Sequence, residues 1–210
     1  MMRNLVLSAV LVGASLFGTT VFAQELVEGR NYVTLSSPVP VAQPEKIEVV
    51  AVFGYSCPYC YQLESALAPW STTLSEDVNF MRMPAMFGGV WDLYGQLFYT
   101  LEAMQTDEKV HHSVFDAIHN GGRKLSSLNE ITGFIAEQGV DKALFTKTWN
   151  SFSVKSQMEK AKKLAMAYQI SSVPTLVVNG KYRFDIGMAG GMQETVGVAD
   201  VLIEKERQSE

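Results

Sequence analysis

Two hydrophobic rhythms divide this chain. The run Ile47-Glu48-Val49-Val50-Ala51-Val52-Phe53 is β-branched and apolar at nearly every position, which predicts a central strand ended by Gly54. Just beyond it the period lengthens. Cys60, Leu63, Leu67, Trp70 and Leu74 recur at helical spacing, the stretch becoming helix-like from Tyr61. Pro69 is expected to kink that helix or end its first segment. Val78 to Met83 predicts another strand, stopped by Pro84, and Tyr32 to Leu35 predicts a short edge strand.

From Trp91 to about Tyr168 the strand signal disappears. Helical periodicity predicts helices over 91–104, 108–120, 127–138, 142–150 and 153–168, separated by Gly121-Gly122 and Gly139. Ser127 followed by Glu130 forms a capping-box pattern, and Asp141 is a suitable N-cap. Beyond them Asn179-Gly180 joins two short apolar runs, Thr175–Val178 and Tyr182–Phe184, a strong hairpin signal because both turn residues take positive φ. Gly187, Gly190 and Gly191 predict a flexible bend, since they lack the strand–glycine–helix order of a phosphate cradle. Glu194 to Arg207 predicts a closing helix. The expected class is α/β, with a helical subdomain inserted over about residues 87–168.

The first 23 residues read as an export leader. Arg3 precedes an apolar stretch from Leu5 to Phe17, and Val21-Phe22-Ala23 offers small residues at the two positions a signal peptidase inspects. Cleavage after Ala23 leaves residues 24–210 as the working domain. The apolar stretch is short and interrupted by Gly13, Ser15 and Gly18, a poor membrane span. The full chain carries 17 basic and 22 acidic side chains without a basic block, so nucleic acid is not an expected partner.

Export changes the reading of the cysteines. The chain has two, Cys57 and Cys60, in Cys57-Pro58-Tyr59-Cys60 at the strand-to-helix corner. A bridge over two residues closes a tiny loop and restrains the unfolded chain little, so a structural role explains it poorly. Tetrahedral zinc asks for four ligands, and no second Cys pair or Cys/His cluster accompanies this one, so no metal is expected. A dithiol that opens and closes suits the corner. Free N–H groups and the positive helix end favour an anion at Cys57, which should attack first; Cys60, one turn deeper, should resolve. Pro58 fits the first helical turn, where its missing N–H has no partner. The nearest sequence cation is Lys46, so the helix end must supply most of the activation unless the fold brings a cation near.

A second stretch, Ser171-Ser172-Val173-Pro174-Thr175, lies directly before the hairpin. The order of strand, Cys-Pro-x-Cys helix, helices, Val-Pro-Thr, hairpin and final helix resembles the thioredoxin superfamily. The leader, the size of the helical region and Tyr32-Val33-Thr34-Leu35 make the chain similar to DsbA-type periplasmic thiol:disulfide oxidoreductases over nearly the whole mature length. That resemblance implies a thioredoxin fold and a cis Val173–Pro174 bond facing the cysteines, beside which an extended client peptide binds. It implies donation of the Cys57–Cys60 disulfide to exported proteins in the periplasm and reoxidation by a quinone-linked membrane partner, with no bound cofactor. Two positions depart from the family pattern. Pro58-Tyr59 replaces Pro-His, and Ala51 stands where a buried acid is frequent; both touch groups that tune the pair. The alternatives are a less oxidising reductase or isomerase-type protein, or a non-catalytic chaperone.

His111, His112 and His119 fall on one predicted helix and read as surface residues, with Asp116 the one neighbour that could join them on a metal. Met81, Met83 and Met86 read as packing, and Trp70, Trp91 and Trp149 as core. Met86 and Phe87 could border the site as an apolar rim for unfolded clients.

Overall fold

The computed structural model describes residues 26–106 and 108–209. The expected leader lies outside them. Five strands form one sheet: β1 (Val33–Thr34), β2 (Ile47–Phe53), β3 (Val78–Pro84), β4 (Thr175–Val178) and β5 (Tyr182–Asp185). Their order is β1-β5-β4-β2-β3, with β2 parallel to β3 and every other neighbour antiparallel. β2 is buried at all seven positions, as its unbroken apolar run requires.

Alternation along β2 sends its side chains into two cores. Val49 and Ala51 face Leu63, Leu67 and Trp70 of α1 (Pro58–Ser71) and Val198, Ala199 and Leu202 of α8 (Met192–Arg207). Val50 and Val52 face the opposite side, with Tyr99 of α2 (Val90–Ala103) and Val154 and Ala161 of α6 (Phe152–Ala167). A third core belongs to the helices. Leu97 of α2, Phe115 of α3 (Glu108–His119), Ile131 and Phe134 of α4 (Leu128–Glu137) and Phe145 of α5 (Lys142–Trp149) enclose it. Phe53, Tyr55, Cys57 and Cys60 pack into this third core, so the cysteine corner lies where the helical block meets the sheet.

Several local expectations need correction. The helix after the cysteines starts at Pro58, in keeping with that residue's place in the first helical turn and three residues before the helix-like run expected from Tyr61, and it continues through Pro69 to Ser71. Pro69 stands in the last turn, so few intrahelical bonds remain for it to disturb. Gly187 lies inside a short helix, α7 (Ile186–Ala189), held by the Asp185 side chain, which accepts from Met188 N–H at 2.9 Å. Gly190 then turns the chain with φ 95°. Ser127 caps α4 as expected, but the Glu130 carboxylate reaches Ser126 N–H at 2.8 Å, not the cap's own N–H. Asp141 caps α5, accepting from Leu144 N–H at 2.6 Å. Asn179 and Gly180 both take positive φ and close the β4–β5 hairpin. Among the described residues no helix is long and apolar enough to cross a membrane.

Candidate active site

Cys57 is the N-cap of α1. Its backbone is extended, its Sγ accepts from the Cys60 N–H at 3.3 Å, and Pro58 follows at the first helical position. The corner is also fixed from behind. Cys57 N–H donates to Gly54 O at 3.0 Å, and Cys57 O accepts from Tyr61 N–H at 3.1 Å. Gly54 is required here for a steric reason: a Cβ on it would lie 2.1 Å from the Trp91 ring.

Opposite the sulfur is the loop before β4. Val173–Pro174 is a cis peptide bond, and the Cys57 thiol donates to Val173 O at 3.6 Å. Residues separated by 116 positions thus meet at the sulfur. Tyr59, 62% exposed, stands over an open groove of about 340 Å³ whose wall includes Val173, Pro174, Ile186 and Met192. The structure therefore brings together Cys57, Pro58, Tyr59, Cys60, Val173 and Pro174. Phe87 is exposed and packs edge-on against Trp91, whereas Met86 is half-buried against Gly95.

The two thiols differ in environment. Both are unbridged, with Cys57 8% and Cys60 2% exposed. Cys57 is more covered than its helix-end position suggests, because Val173 closes over it. A hydrogen bond from Cys60 favours its thiolate most strongly; partial burial opposes this, and the backbone N–H groups of Cys60 and Tyr59 add to the stabilisation. The net result holds Cys57 at about 6, well below an ordinary thiol. Burial pushes the Cys60 thiol far upward, and its hydrogen bond to Cys57 and the negative charges of Cys57 and Glu64 add to that. The charge of the pair is therefore confined to one sulfur.

Glu64 is the residue that sequence reasoning missed. It lies four positions after Cys60 on the apolar stripe of α1 and is 3% exposed. Arg82 of β3 grips it with two hydrogen bonds of 2.9 and 2.8 Å and also pairs with Glu108 at 2.8 Å. His111 is buried, correcting the surface reading. Tyr55 Oη and His111 Nδ1 are 2.7 Å apart, and His111 Nε2 lies 3.6 Å from Glu64 Oε1. Burial holds the His111 pKa low, although Glu64 pulls the other way. For Glu64, burial opposes the charge, but His111 and Arg82 outweigh it and hold the carboxyl at about 2. The signal was a charged residue inside an apolar helical stripe, which is affordable only with a buried cation nearby.

Glu64, Glu108 and His111 present ligand atoms within 4.8 Å of one another. The guanidinium of Arg82 already pairs with both carboxylates and sets a positive charge beside them, so this cluster is a poor home for a metal cation. His119 is likewise engaged: its Nε2 lies 2.8 Å from Tyr55 O, and its ring stacks on Tyr61 at 5.1 Å. Asp116 accepts from Tyr61 Oη and serves neither histidine as a shared ligand.

This arrangement can exchange a disulfide: one low-pKa sulfur at a helix end, its mate one turn deeper, and a backbone carbonyl across from them. Comparison with known proteins agrees. The family model for the DSBA-like thioredoxin domain matches residues 80–201, a span that begins beyond the cysteines. Full-length relatives cover them. The thiol:disulfide interchange protein DsbA of Pseudomonas aeruginosa is 58% identical over 206 residues, 98% of each chain. That of Azotobacter vinelandii is 56% identical over 214 residues, spanning both chains completely. The crystal structure of Pseudomonas aeruginosa DsbA superposes with a TM-score of 0.84 at 59% identity, covering 86% of this chain and 94% of that one. DsbA from Xylella fastidiosa superposes at 0.80 with 32% identity, over 87% and 98% of the respective chains. The chain belongs to the DsbA family and is a thiol:disulfide oxidoreductase with a thioredoxin-like fold.

Proposed function

We propose that Cys57 and Cys60 are the redox pair and that this protein donates their disulfide to newly exported proteins in the periplasm. Removal of residues 1–23 by signal peptidase would deliver residues 24–210 there, with about 87–168 as the inserted helical subdomain. A client thiolate attacks Cys57 Sγ; the Cys57–Cys60 bond breaks, and Cys60 leaves with the electron pair and takes up a proton. The client's second thiolate then attacks the client sulfur of the mixed disulfide and releases Cys57 as a thiolate. The client is oxidised by two electrons and the pair reduced by two.

The observation that carries this reading is Cys57 Sγ itself, capped by the Cys60 N–H at 3.3 Å and facing Val173 O at 3.6 Å. Its low pKa makes it the better leaving group of the two. Pro58 and Tyr59 tune the pair from within the loop. Val173 and Pro174 present a backbone edge to an extended client segment, with the adjacent groove taking apolar side chains. No cofactor is needed for this exchange; a quinone-linked membrane protein would restore the disulfide.

Equilibration with glutathione separates donor from reductase, because a donor lies to the oxidising side of the glutathione couple. Cys57→Ser should abolish oxidation of a reduced client. Retention of full oxidase activity by that variant refutes the assignment, and loss of exchange with intact suppression of client aggregation assigns the pair to exchange and any holding activity to another surface.

A further inference from the structure

Charge is unevenly distributed along this chain. From Lys142 to Tyr168, the span of α5 and α6, there are six lysines and a single acid, Glu159. That segment carries +5 in a chain of −5, leaving −10 on everything else. Lys142, Lys147, Lys155, Lys160 and Lys163 are exposed. Lys162 pairs with Asp92 and Glu159 at 3.3 Å.

The lysines share their surface with unusual neighbours. Phe152, Lys155, Glu159, Lys163 and Met166 follow one another at three- and four-residue steps along α6, which places them on one face. Val154 and Ala161 occupy the opposite face and are buried. Phe152 is 86% exposed and Met166 72%, and Leu144 of α5 is 50% exposed. An ordinary solvated helix face spares Phe and Met from water. Here two large apolar side chains bracket a stripe about 21 Å long in which Lys155 and Lys163 outnumber Glu159.

We propose that the α5–α6 face docks this protein on an anionic phospholipid bilayer. Phosphate headgroups complement the lysines, while Phe152, Met166 and Leu144 enter the boundary between headgroups and acyl chains. A bilayer suits the stripe because it demands no shaped partner; the face is a convex helix carrying repeated charges. The acidic remainder of the molecule is repelled by the same surface, which orients the protein with this face down. Docking keeps the oxidoreductase beside a membrane, independently of which residues exchange the disulfide.

Vesicle co-sedimentation tests this, using protein purified in its exported form. Phosphatidylglycerol-containing vesicles should bind the protein at low ionic strength and pure phosphatidylcholine vesicles should not, with binding lost as salt is raised. Lys155→Gln combined with Lys163→Gln should weaken partitioning about 30-fold. Phe152→Ser should weaken it at low ionic strength with the salt dependence of what remains unchanged, because that substitution removes no charge. All three substitutions should leave disulfide exchange in solution unchanged, which also shows that the variants are folded. Equal binding to both vesicle types, no binding to either, or unaltered partitioning of the double variant overturns the proposal.

Discussion

Removing the Cys60 sulfur should raise the pKa of Cys57. In the reduced protein the hydrogen bond from Cys60 is the largest influence on that group, and partial burial opposes it. With Cys57 at about 6, the sulfur is about 90% thiolate at pH 7, whereas a thiol at its usual 9 is about 1% thiolate. That difference stabilises the reduced form by about 1.4 kcal/mol at pH 7, or about 30 mV for a two-electron couple. The sign follows from the direction of the shift: the stabilisation is absent well below pH 6 and grows as pH rises through it. The reduction potential should therefore fall by about 59 mV per pH unit below pH 6 and by about 30 mV above it, because reduction then takes up one proton rather than two. Thiolate absorbance near 240 nm should titrate around pH 6 in the native protein. In Cys60→Ala it should move up by at least about one unit, with the backbone N–H groups still in place; Cys60→Ser, which keeps a donor, should fall between. A native midpoint near 9, or an unchanged midpoint in Cys60→Ala, refutes the account of how this sulfur is activated.

Three further outcomes follow from neighbouring residues. Glu64, held at about 2 against its usual 4.5, should contribute about 3 kcal/mol of folding stability above pH 5 that is lost as pH falls toward 2; urea denaturation of native protein and Glu64→Gln across that range should show the native advantage disappearing with acid. Gly54→Ala should cost about 2 kcal/mol and lower the Tm by about 4–8 °C, because the added methyl collides with Trp91; calorimetry measures it, and an unchanged Tm contradicts the steric argument. Tyr59→His places a group that can carry positive charge beside the helix end, and should raise the reduction potential by about 30 mV for each unit by which the Cys57 pKa falls; a glutathione titration showing no rise rules this out.

Much of the fold was legible because burial leaves periodic traces. The unbroken apolar run of β2 marked a strand covered on both sides, and the Asn179-Gly180 turn marked its hairpin neighbours. The redox corner was legible because cysteine spacing and a helix start are local features. Its surroundings were not. Val173 O reaches Cys57 across 116 positions, a meeting that only the family resemblance suggested. His111 reads as polar and therefore exposed, yet three elements bury it against Tyr55, Glu64 and Arg82. Pairing energies between distant buried groups leave no periodic mark, so Glu64 inside the α1 stripe was the one hint that a cation had to lie underneath.

The position of Cys57 on a seam has a mechanical consequence. Its packing partners belong to the helical block, while the carbonyl that covers it belongs to the segment entering β4. Cys57 and Val173 both ride on the sheet, the first just beyond the end of β2 and the second just before the start of β4, so the gap above the sulfur is set by the pairing of those two strands. The helical block bears on the same turn from the other side, where the Trp91 ring lies against Gly54.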